Sequence, residues 1–170
     1  MATAQKVTTY LWFDSNAEEA VTFYTSLFPG SKVTSVARWP EGGPGPAGQV
    51  LNMVFELAGQ QFMALNGGPR FAFTPAISLF VSCENQAEVD RFWTKLLENG
   101  GREDQCGWLQ DRYGLSWQII PTALMTLMTD PDRAKSGRVM QAMLSMRKID
   151  VAALERAHRG VETPAVGGRT

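Results

Sequence analysis

The sequence contains few of the residues that usually build metal and disulfide sites. Its 170 residues include one histidine, His158, and two cysteines, Cys83 and Cys106. Two cysteines do not make a disulfide framework, and we interpret Cys83 as a small core residue. A zinc-type site needs three or four converging nitrogen, sulfur or oxygen ligands, and His158 is far from any such group. We therefore predict no bound metal and no cofactor, with His158 as an exposed residue at a helix end.

Charge and long apolar runs are also scarce. The formal net charge is −1 and 19% of the residues are charged, which gives no electrostatic basis for binding nucleic acid or an acidic membrane. No run of about 18 apolar residues is present, and the N-terminal stretch lacks the apolar segment of a signal peptide. We predict a cytoplasmic globular protein with no nucleic-acid partner and no membrane partner.

One stretch of the sequence occurs twice. Residues 16–28 read NAEEAVTFYTSLF, and residues 85–97 read NQAEVDRFWTKLL. In each copy apolar residues recur at i, i+3, i+4 and i+7, the pattern of one helix face, and an asparagine stands where an N-cap is expected. Phe23 and Phe92 occupy the same place in the two copies, so we predict that both are buried. Two copies indicate two related half-domains rather than a solenoid.

Strand patterns surround both copies. β-branched and alternating segments predict one strand before each helix and three after it, and the last of them is LSWQII. Each half is therefore β-α-β-β-β, and we predict an α+β fold of paired βαβββ modules followed by C-terminal helices. The predicted boundaries are 6–70 for the first module, 71–121 for the second, 122–160 for a helical extension and 161–170 for a disordered tail.

With these two halves the chain resembles the vicinal oxygen chelate superfamily, also called the glyoxalase, bleomycin-resistance and dioxygenase fold. It is most similar to the PhnB-like subfamily, which carries the label 3-demethylubiquinone-9 3-methyltransferase. The resemblance spans about residues 6–158 and is carried by YLWFDSNAEEAVTFYTSLFPGSKV, FELAGQQFMALNGGP, AISLFVSC, CGWLQDRYGLSWQIIP and VMQAMLSMRKIDVAALERA. It implies two four-stranded curled sheets, each wrapped around a cleft.

Metal-using relatives in this superfamily place four ligands in the cleft, typically His, Glu or Gln. The resemblance puts the corresponding positions at Thr8 or Thr9, at Ala64 or Asn66, at Ala76 and at Gln118. Threonine and alanine cannot replace an imidazole, and among these residues only Gln118 is suited to bind a metal. The resemblance therefore agrees with the prediction of no metal.

Alternation along a strand divides its residues between a core face and a cleft face. Pairing Thr8 with the first ligand position turns Tyr10 and Trp12 toward the cleft, and Gln118 brings Ser116 and Ile120 with it. The result is an aromatic, mostly neutral pocket suited to a flat or apolar small molecule. Its predicted ligand-binding residues are Thr8, Tyr10, Trp12, Asn66, Ala76, Ser116 and Gln118. The alternative is that the rings pack beneath the helices.

Cys106 is the candidate reactive thiol. A reactive thiol needs a nearby cation, a helix N-terminus or a partner base to lower its pKa. Arg102 and Arg112 are close in sequence, but no histidine is. The alternative is that Cys106 is buried or packs in an edge strand.

Three functions are open at this point. The first is a metal-independent protein that binds a small molecule, and the second is an enzyme acting on a small metabolite as a lyase, a dioxygenase or the methyltransferase of the family label. The third is a structural homodimer whose cleft is filled by its own tail. The sequence shows no strand, glycine-rich turn and helix of the kind that holds the nucleoside of S-adenosylmethionine, which argues against methyl transfer.

We also predict that the chain forms a homodimer. Open sheets leave strand edges that need cover, and homo-oligomers most often use two-fold symmetry. The extension carries many apolar residues that need a surface to bury against: Leu124, Met125, Leu127, Met128, Met140, Met143, Leu144 and Met146. We expect this extension to contribute to the dimer, with packing on its own sheet as the alternative.

Overall fold

The computed structural model of the chain describes residues 5–161. The chain divides into two compact units, Met1–Phe73 and Thr74–Thr170. Nearly all of the tail predicted at 161–170 lies outside the described residues. Every helix within residues 5–161 is too short or too polar to span a lipid bilayer.

The first unit is one β-α-β-β-β module. Its elements are β1 (Thr9–Phe13), α1 (Ala17–Leu27), β2 (Lys32–Arg38), β3 (Val50–Leu57) and β4 (Gln60–Asn66). The strands form a sheet in the order β1-β4-β3-β2. β1 is parallel to β4, and the other two pairs are antiparallel.

Helix α1 covers one face of this sheet. Its buried residues are Ala17, Ala20, Val21, Tyr24 and Leu27, and the strands supply Leu11, Phe13, Phe55, Phe62 and Ala64 to the same core. Phe23, predicted as buried, is only half-buried, because the apolar face of α1 is centred on Val21 and Tyr24.

The second unit repeats the module. Its elements are β5 (Ser78–Cys83), α2 (Gln86–Leu97), β6 (Arg102–Glu103), β7 (Trp108–Gln110) and β8 (Ser116–Pro121). The sheet order is β5-β8-β7-β6, with β5 parallel to β8. The two β-α-β-β-β units confirm the predicted fold class.

Helix α2 begins with the predicted cap. The Asn85 side chain accepts a hydrogen bond from the Glu88 backbone N–H at 3.0 Å, and the Glu88 carboxylate accepts one from the Glu84 N–H at 2.8 Å. These bonds satisfy backbone donors that a helix start leaves free. The buried face of α2 consists of Val89, Phe92, Trp93 and Leu96.

Three helices follow β8. They are α3 (Thr122–Met128), α4 (Arg133–Leu144) and α5 (Val151–Arg159). They enclose a small core of their own, formed by Leu124, Val139, Ile149 and Leu154 together with Ile120 of β8, and Leu127, Met128, Met143 and Met146 pack against it. Most of the apolar residues of the extension are therefore covered within their own unit, although Met125, Met140 and Leu144 stay exposed.

The segment between α4 and α5 fixes the extension to the second module. The carbonyl oxygens of Met146 and Arg147 accept hydrogen bonds from the backbone N–H groups of Cys106 and Gly107 at 2.8 and 2.7 Å. Lys148 pairs with Asp90 of α2 at 2.6 Å. Hydrogen bonds from Lys148 and then from Gln86 lower the pKa of the Asp90 carboxyl.

Candidate functional site

The two faces of the second sheet differ in chemistry. One face packs on α2 and carries the buried residues Val81, Leu109, Trp117 and Ile119. The residues that alternate with these along each strand lie on the opposite face of the sheet, which we call the Gln118 face. Residues that pair directly on neighbouring strands share a face of the sheet. One row of such pairs crosses all four strands: Ser78 pairs with Ser116, Ser116 with Gln110, and Gln110 with Arg102.

This row, which we call the polar row, consists of Ser78, Ser116, Gln110 and Arg102. It holds two hydroxyls, one amide and one guanidinium. The guanidinium of Arg102 donates a hydrogen bond to the side-chain oxygen of Gln110 at 2.9 Å. The polar row thus forms a line of hydrogen-bonding groups on one side of a sheet whose other side is core.

A second row runs beside it. Register pairs Phe80 with Gln118 and Gln118 with Trp108, so an amide lies between two aromatic residues. The side-chain nitrogen of Gln118 donates to the hydroxyl oxygen of Ser78 at 2.8 Å. This bond links the two rows and orients the Gln118 carbonyl oxygen away from Ser78. Phe80 is 52% exposed, so this ring has room for a further partner.

Ser116 is the unusual member of the polar row. It is only 1% exposed, yet within residues 5–161 its hydroxyl oxygen has no hydrogen-bond partner. A buried hydroxyl without a partner costs about 1–3 kcal/mol. Buried polar groups are rarely left this way unless they serve a ligand, a water or a function.

Asp111 holds the strand that carries Ser116 and Gln118. The residue is 3% exposed, and its carboxylate accepts hydrogen bonds from the backbone N–H groups of Tyr113 and Leu115 at 2.8 and 3.1 Å. It also accepts one from the indole N–H of Trp117 at 2.9 Å. These bonds fix the turn before β8, and with it the start of the strand.

The C-terminal helices cover one end of the Gln118 face. Ile120 belongs to this face, as predicted, but it is 5% exposed because it packs in the core of α3, α4 and α5. A Cβ at Gly107 would lie 2.7 Å from the Ile120 side chain and 3.1 Å from Ile149. The helices therefore pack at the Ile120 end of β8, two residues beyond Gln118.

The first sheet carries the other predicted residues. Tyr10 is 47% exposed and pairs with Met63, while Trp12 pairs with Leu65. Thr8 directly precedes β1, whose pairing with β4 begins at Thr9. The indole N–H of Trp12 donates to the Gly68 carbonyl at 2.9 Å, and its ring meets Phe71 edge-on at 5.1 Å between centroids. This face of the first sheet is therefore aromatic and apolar.

Asn66 does not share that face, which corrects its prediction as a cleft residue. It pairs with Phe13, which is buried on the α1 side. Its side-chain oxygen accepts a hydrogen bond from the Ala17 N–H at 2.9 Å, and its nitrogen donates to the Val50 carbonyl at 3.0 Å. Asn66 thus caps α1, a role that the sequence suggested for Asn16, whose side chain makes no capping bond.

Ala76 also lies elsewhere than predicted. It is exposed in the turn before β5 and is not part of the sheet. The strand position on the Gln118 face belongs to Ser78, two residues later. Ser78 is the member of the site that sequence reasoning missed, although alternation counted back from the buried Val81 and Cys83 points to it.

A family model described as 3-demethylubiquinone-9 3-methyltransferase matches residues 5–120. A similar solved structure is a putative 3-demethylubiquinone-9 3-methyltransferase, PhnB protein, from Bacillus cereus, at 42% identity and a TM-score of 0.65. That match covers 69% of this chain and 100% of the other.

The chain belongs to this family. The recognition of a PhnB-like member of the glyoxalase superfamily is thereby confirmed. Protein PA1353 from Pseudomonas aeruginosa shares the fold at 20% identity and a TM-score of 0.57, with 69% of this chain and 98% of that chain covered. No curated protein matches. The family match ends at residue 120, whereas the sequence resemblance was predicted to extend to residue 158.

The residues of this PhnB-like chain do not fit a divalent metal site. Ala64 and Ala76 have no side-chain donor atoms, and both ends of the Asn66 amide are used inside the first unit. Ser78 and Gln118 offer only neutral groups, and the Gln118 amide nitrogen donates a hydrogen bond to the Ser78 hydroxyl oxygen. Among residues 5–161, no three His, Cys, Asp or Glu residues are grouped to hold a metal. A neutral hydroxyl and amide set lacks the charged or imidazole ligands that such ions require.

The two cysteines have different surroundings. Cys83 is fully buried, and burial followed by the Glu88 charge raises the pKa of its thiol to about 12. Cys106 is half-buried in the turn between β6 and β7, with φ at 59° and its N–H bound to Met146. It thus lies in a turn and not in an edge strand.

His158 was predicted as an exposed helix-end residue, and the structure corrects its exposure. It lies in the last turn of α5, where its ring nitrogen contacts the Asp130 carboxylate at 2.7 Å, and its side chain is 20% exposed. The Asp132 N–H, followed by His158, lowers the pKa of the Asp130 carboxyl. The pair joins α5 to the connection between α3 and α4, which is a structural role.

Proposed function

We propose that this PhnB-like protein binds a small, partly aromatic molecule on its Gln118 face, without metal. The observation that carries the proposal is the hydroxyl of Ser116, which is buried and has no hydrogen-bond partner among the described residues. Next to it, the Gln118 amide is oriented by Ser78 at 2.8 Å. A ligand with a hydroxyl or carbonyl group would satisfy the Ser116 hydroxyl and offset its burial cost.

The aromatic residues beside these groups favour a planar ligand. Phe80 and Trp108 flank Gln118 across the sheet. Ring pairs in stacked or edge-on contact contribute about 0.5–1.5 kcal/mol beyond the area they bury. Ligand sites commonly combine such apolar walls with a few fixed polar groups. A ring against Phe80 or Trp108, with a polar substituent at Gln118 and Ser116, fits this description.

Binding is better supported than methyl transfer. The nucleoside of S-adenosylmethionine resembles a nucleotide, and nucleotide sites of α/β proteins use a glycine-rich turn between a strand and a helix. The turn from β1 to α1 is Asp14-Ser15-Asn16, and the turn from β5 to α2 is Glu84-Asn85. Neither contains glycine, so neither fits that group. The family description alone favours an enzyme here.

A binding experiment tests the proposal directly. The neutral probe is a hydroxynaphthamide with its hydroxyl and amide at opposite ends, titrated calorimetrically into the full chain. We expect binding to the wild type and a loss of about tenfold or more in Gln118→Ala. Gln141→Ala, which removes an exposed amide on α4, is the matched control. Equal affinities for Gln118→Ala and wild type would contradict the proposal, as would no binding to the wild type at all.

The site proposal is compatible with a cytoplasmic homodimer, which we also propose. Two free cysteines are typical of a reducing compartment. Within the first unit, β2 is an edge strand whose Val33 and Val36 are 38% and 40% exposed. Exposed apolar edge strands are commonly covered by a partner.

A further inference from the structure

We infer that the ligand of the Gln118 face is an elongated planar acid whose carboxylate binds at Arg102. This inference rests on the proposed function, because it assigns the chemistry of the same ligand. The polar row changes along its length, from the hydroxyls of Ser78 and Ser116 through the Gln110 amide to the Arg102 guanidinium. Such a row binds a molecule with unlike ends.

The Arg102 end of the row can receive an anion. Arg102 is exposed, and its one hydrogen bond in residues 5–161 goes to the Gln110 oxygen at 2.9 Å. Its other N–H donors are therefore available. Gln110 fixes the orientation of the guanidinium, and an oriented guanidinium is well matched to a carboxylate, which it binds through two parallel hydrogen bonds.

The charges nearby do not oppose this assignment. Glu103, the neighbouring acid, lies on the other face of the sheet, where it accepts a hydrogen bond from Trp93 at 3.0 Å and pairs with Arg147 at 3.6 Å. The side chain of Asp104 accepts a hydrogen bond from the backbone of Gln105. In the described part of the chain Arg102 makes no ion pair with either acid.

The spacing of the strands sets the length of the ligand. Neighbouring strands lie about 4.8 Å apart, so Ser116 on β8 and Arg102 on β6 are separated by two spacings, or roughly 10 Å. A planar molecule of two fused rings with polar groups at opposite ends has a comparable length. Trp108, in the adjacent row between the two ends, supplies a surface for its rings.

The hydroxyl end of such a molecule meets complementary groups. The Ser116 hydroxyl is buried and can both donate and accept a hydrogen bond. The Gln118 oxygen can accept one from the ligand, because the Gln118 amide nitrogen is the atom that bonds to Ser78. A phenolic hydroxyl, which donates and accepts at once, satisfies Ser116 and Gln118 together.

The test compares an acid with its neutral amide. Hydroxynaphthoate and hydroxynaphthamide, each with its two polar groups at opposite ends, are titrated into wild type, Arg102→Gln and the control Arg159→Gln. We expect the acid to bind wild type and Arg159→Gln about tenfold or more tighter than the amide. In Arg102→Gln this preference should vanish while the affinity for the amide is unchanged. Added salt should lower the affinity of the protein for the acid but not for the amide.

The outcomes separate the two proposals. Equal affinity of acid and amide for the wild type, or a preference that survives in Arg102→Gln, overturns the carboxylate assignment and leaves the proposed function standing. Absence of binding by both molecules overturns both. Arg102 is exposed on a two-residue strand, so its replacement leaves the fold intact, which circular dichroism and the unchanged amide affinity verify.

Discussion

At the scale of single residues, Ser116 is a position where stability and function oppose each other. A hydroxyl that is buried without a partner lowers the stability of the free protein. Residues held in an unfavourable state are frequent at functional sites, where a ligand supplies the missing interaction. Ser78 differs, because its oxygen already accepts a bond from Gln118.

We expect Ser116→Ala to leave the free energy of unfolding unchanged or to raise it by about 1 kcal/mol, because it removes the unpaired hydroxyl. Ser78→Ala should lower it by about 0.5–1.5 kcal/mol, because it leaves the Gln118 nitrogen unpaired. Urea unfolding measures both. Both variants should bind hydroxynaphthamide more weakly. A clear loss of stability in Ser116→Ala would indicate that Ser116 has a structural role only.

The thiols provide a second test at this scale. The pKa of Cys83 is raised to about 12 and the residue is 0% exposed, so at pH 8 we expect it to react with a disulfide reagent only after unfolding. Cys106 is half-buried and should react in the native protein. Cys106→Ser should therefore abolish the native reaction. Persistence of that reaction would show that the segment around Cys83 opens readily.

At the scale of elements, the repeat was visible in the sequence because helix periodicity is a strong signal. Ala20 and Val89, Tyr24 and Trp93, and Leu27 and Leu96 are buried pairs. The faces of single strand residues were harder to predict. β1 is separated from α1 by three residues, but β5 from α2 by only two. This difference shifts the strands by one residue relative to the helices, and a shift of one residue exchanges the two faces of a strand.

Two residues of the predicted site lie elsewhere in the structure. Ala76 lies in a turn and Ser78 takes the strand position, while Asn66 lies on the helix side. Tyr10 and Trp12 share one face of β1, and Ser116 and Gln118 share one face of β8, because alternation within one strand is independent of the connections. The polar row depends on hydrogen bonding across the sheet, and therefore on strand order and register. Neither of these can be read directly from a single sequence.

The phenylalanines at equivalent positions of α1 and α2 differ in burial, which leads to a prediction about stability. Phe92 is 3% exposed, with the Arg91 guanidinium 4.1 Å from its ring centre, whereas Phe23 is half-buried. We expect Phe92→Ala to lower the free energy of unfolding by about 3–5 kcal/mol and Phe23→Ala by about 1–2 kcal/mol. Chemical denaturation of both variants measures these two losses. Equal losses would mean that the two helices bury equivalent faces after all.

At the scale of the whole molecule, the extension was expected to need a partner, and much of its apolar surface is covered by its own unit. What stays exposed on α4 is Met140 at 42% and Leu144 at 52%, with Met125 of α3 at 54%. Methionine side chains adapt to irregular surfaces. These three residues define the part of the extension that can still contribute to a homodimer.

We expect the full chain to sediment as a dimer at micromolar concentration. Met140→Glu combined with Leu144→Glu should shift it toward monomer, because both changes place a charge on the exposed apolar surface of α4. Gln141→Glu adds a charge to the same helix without removing an apolar group and is the control. A wild-type monomer would refute the dimer. A dimer that tolerates the double change would place the interface away from α4.

The aromatic contacts around β1 have a consequence for how the chain is made. Phe71 meets Trp12 and Phe73 meets Phe13, at 5.1 and 5.2 Å, so the last residues of the first unit close on its first strand. All strand pairings of this unit are complete by residue 66. The second unit instead needs Met146 and Arg147, because their carbonyl oxygens accept hydrogen bonds from the turn at Cys106. During synthesis the first unit can fold as it leaves the ribosome, whereas the second stays incomplete until residues 146 and 147 have also left it.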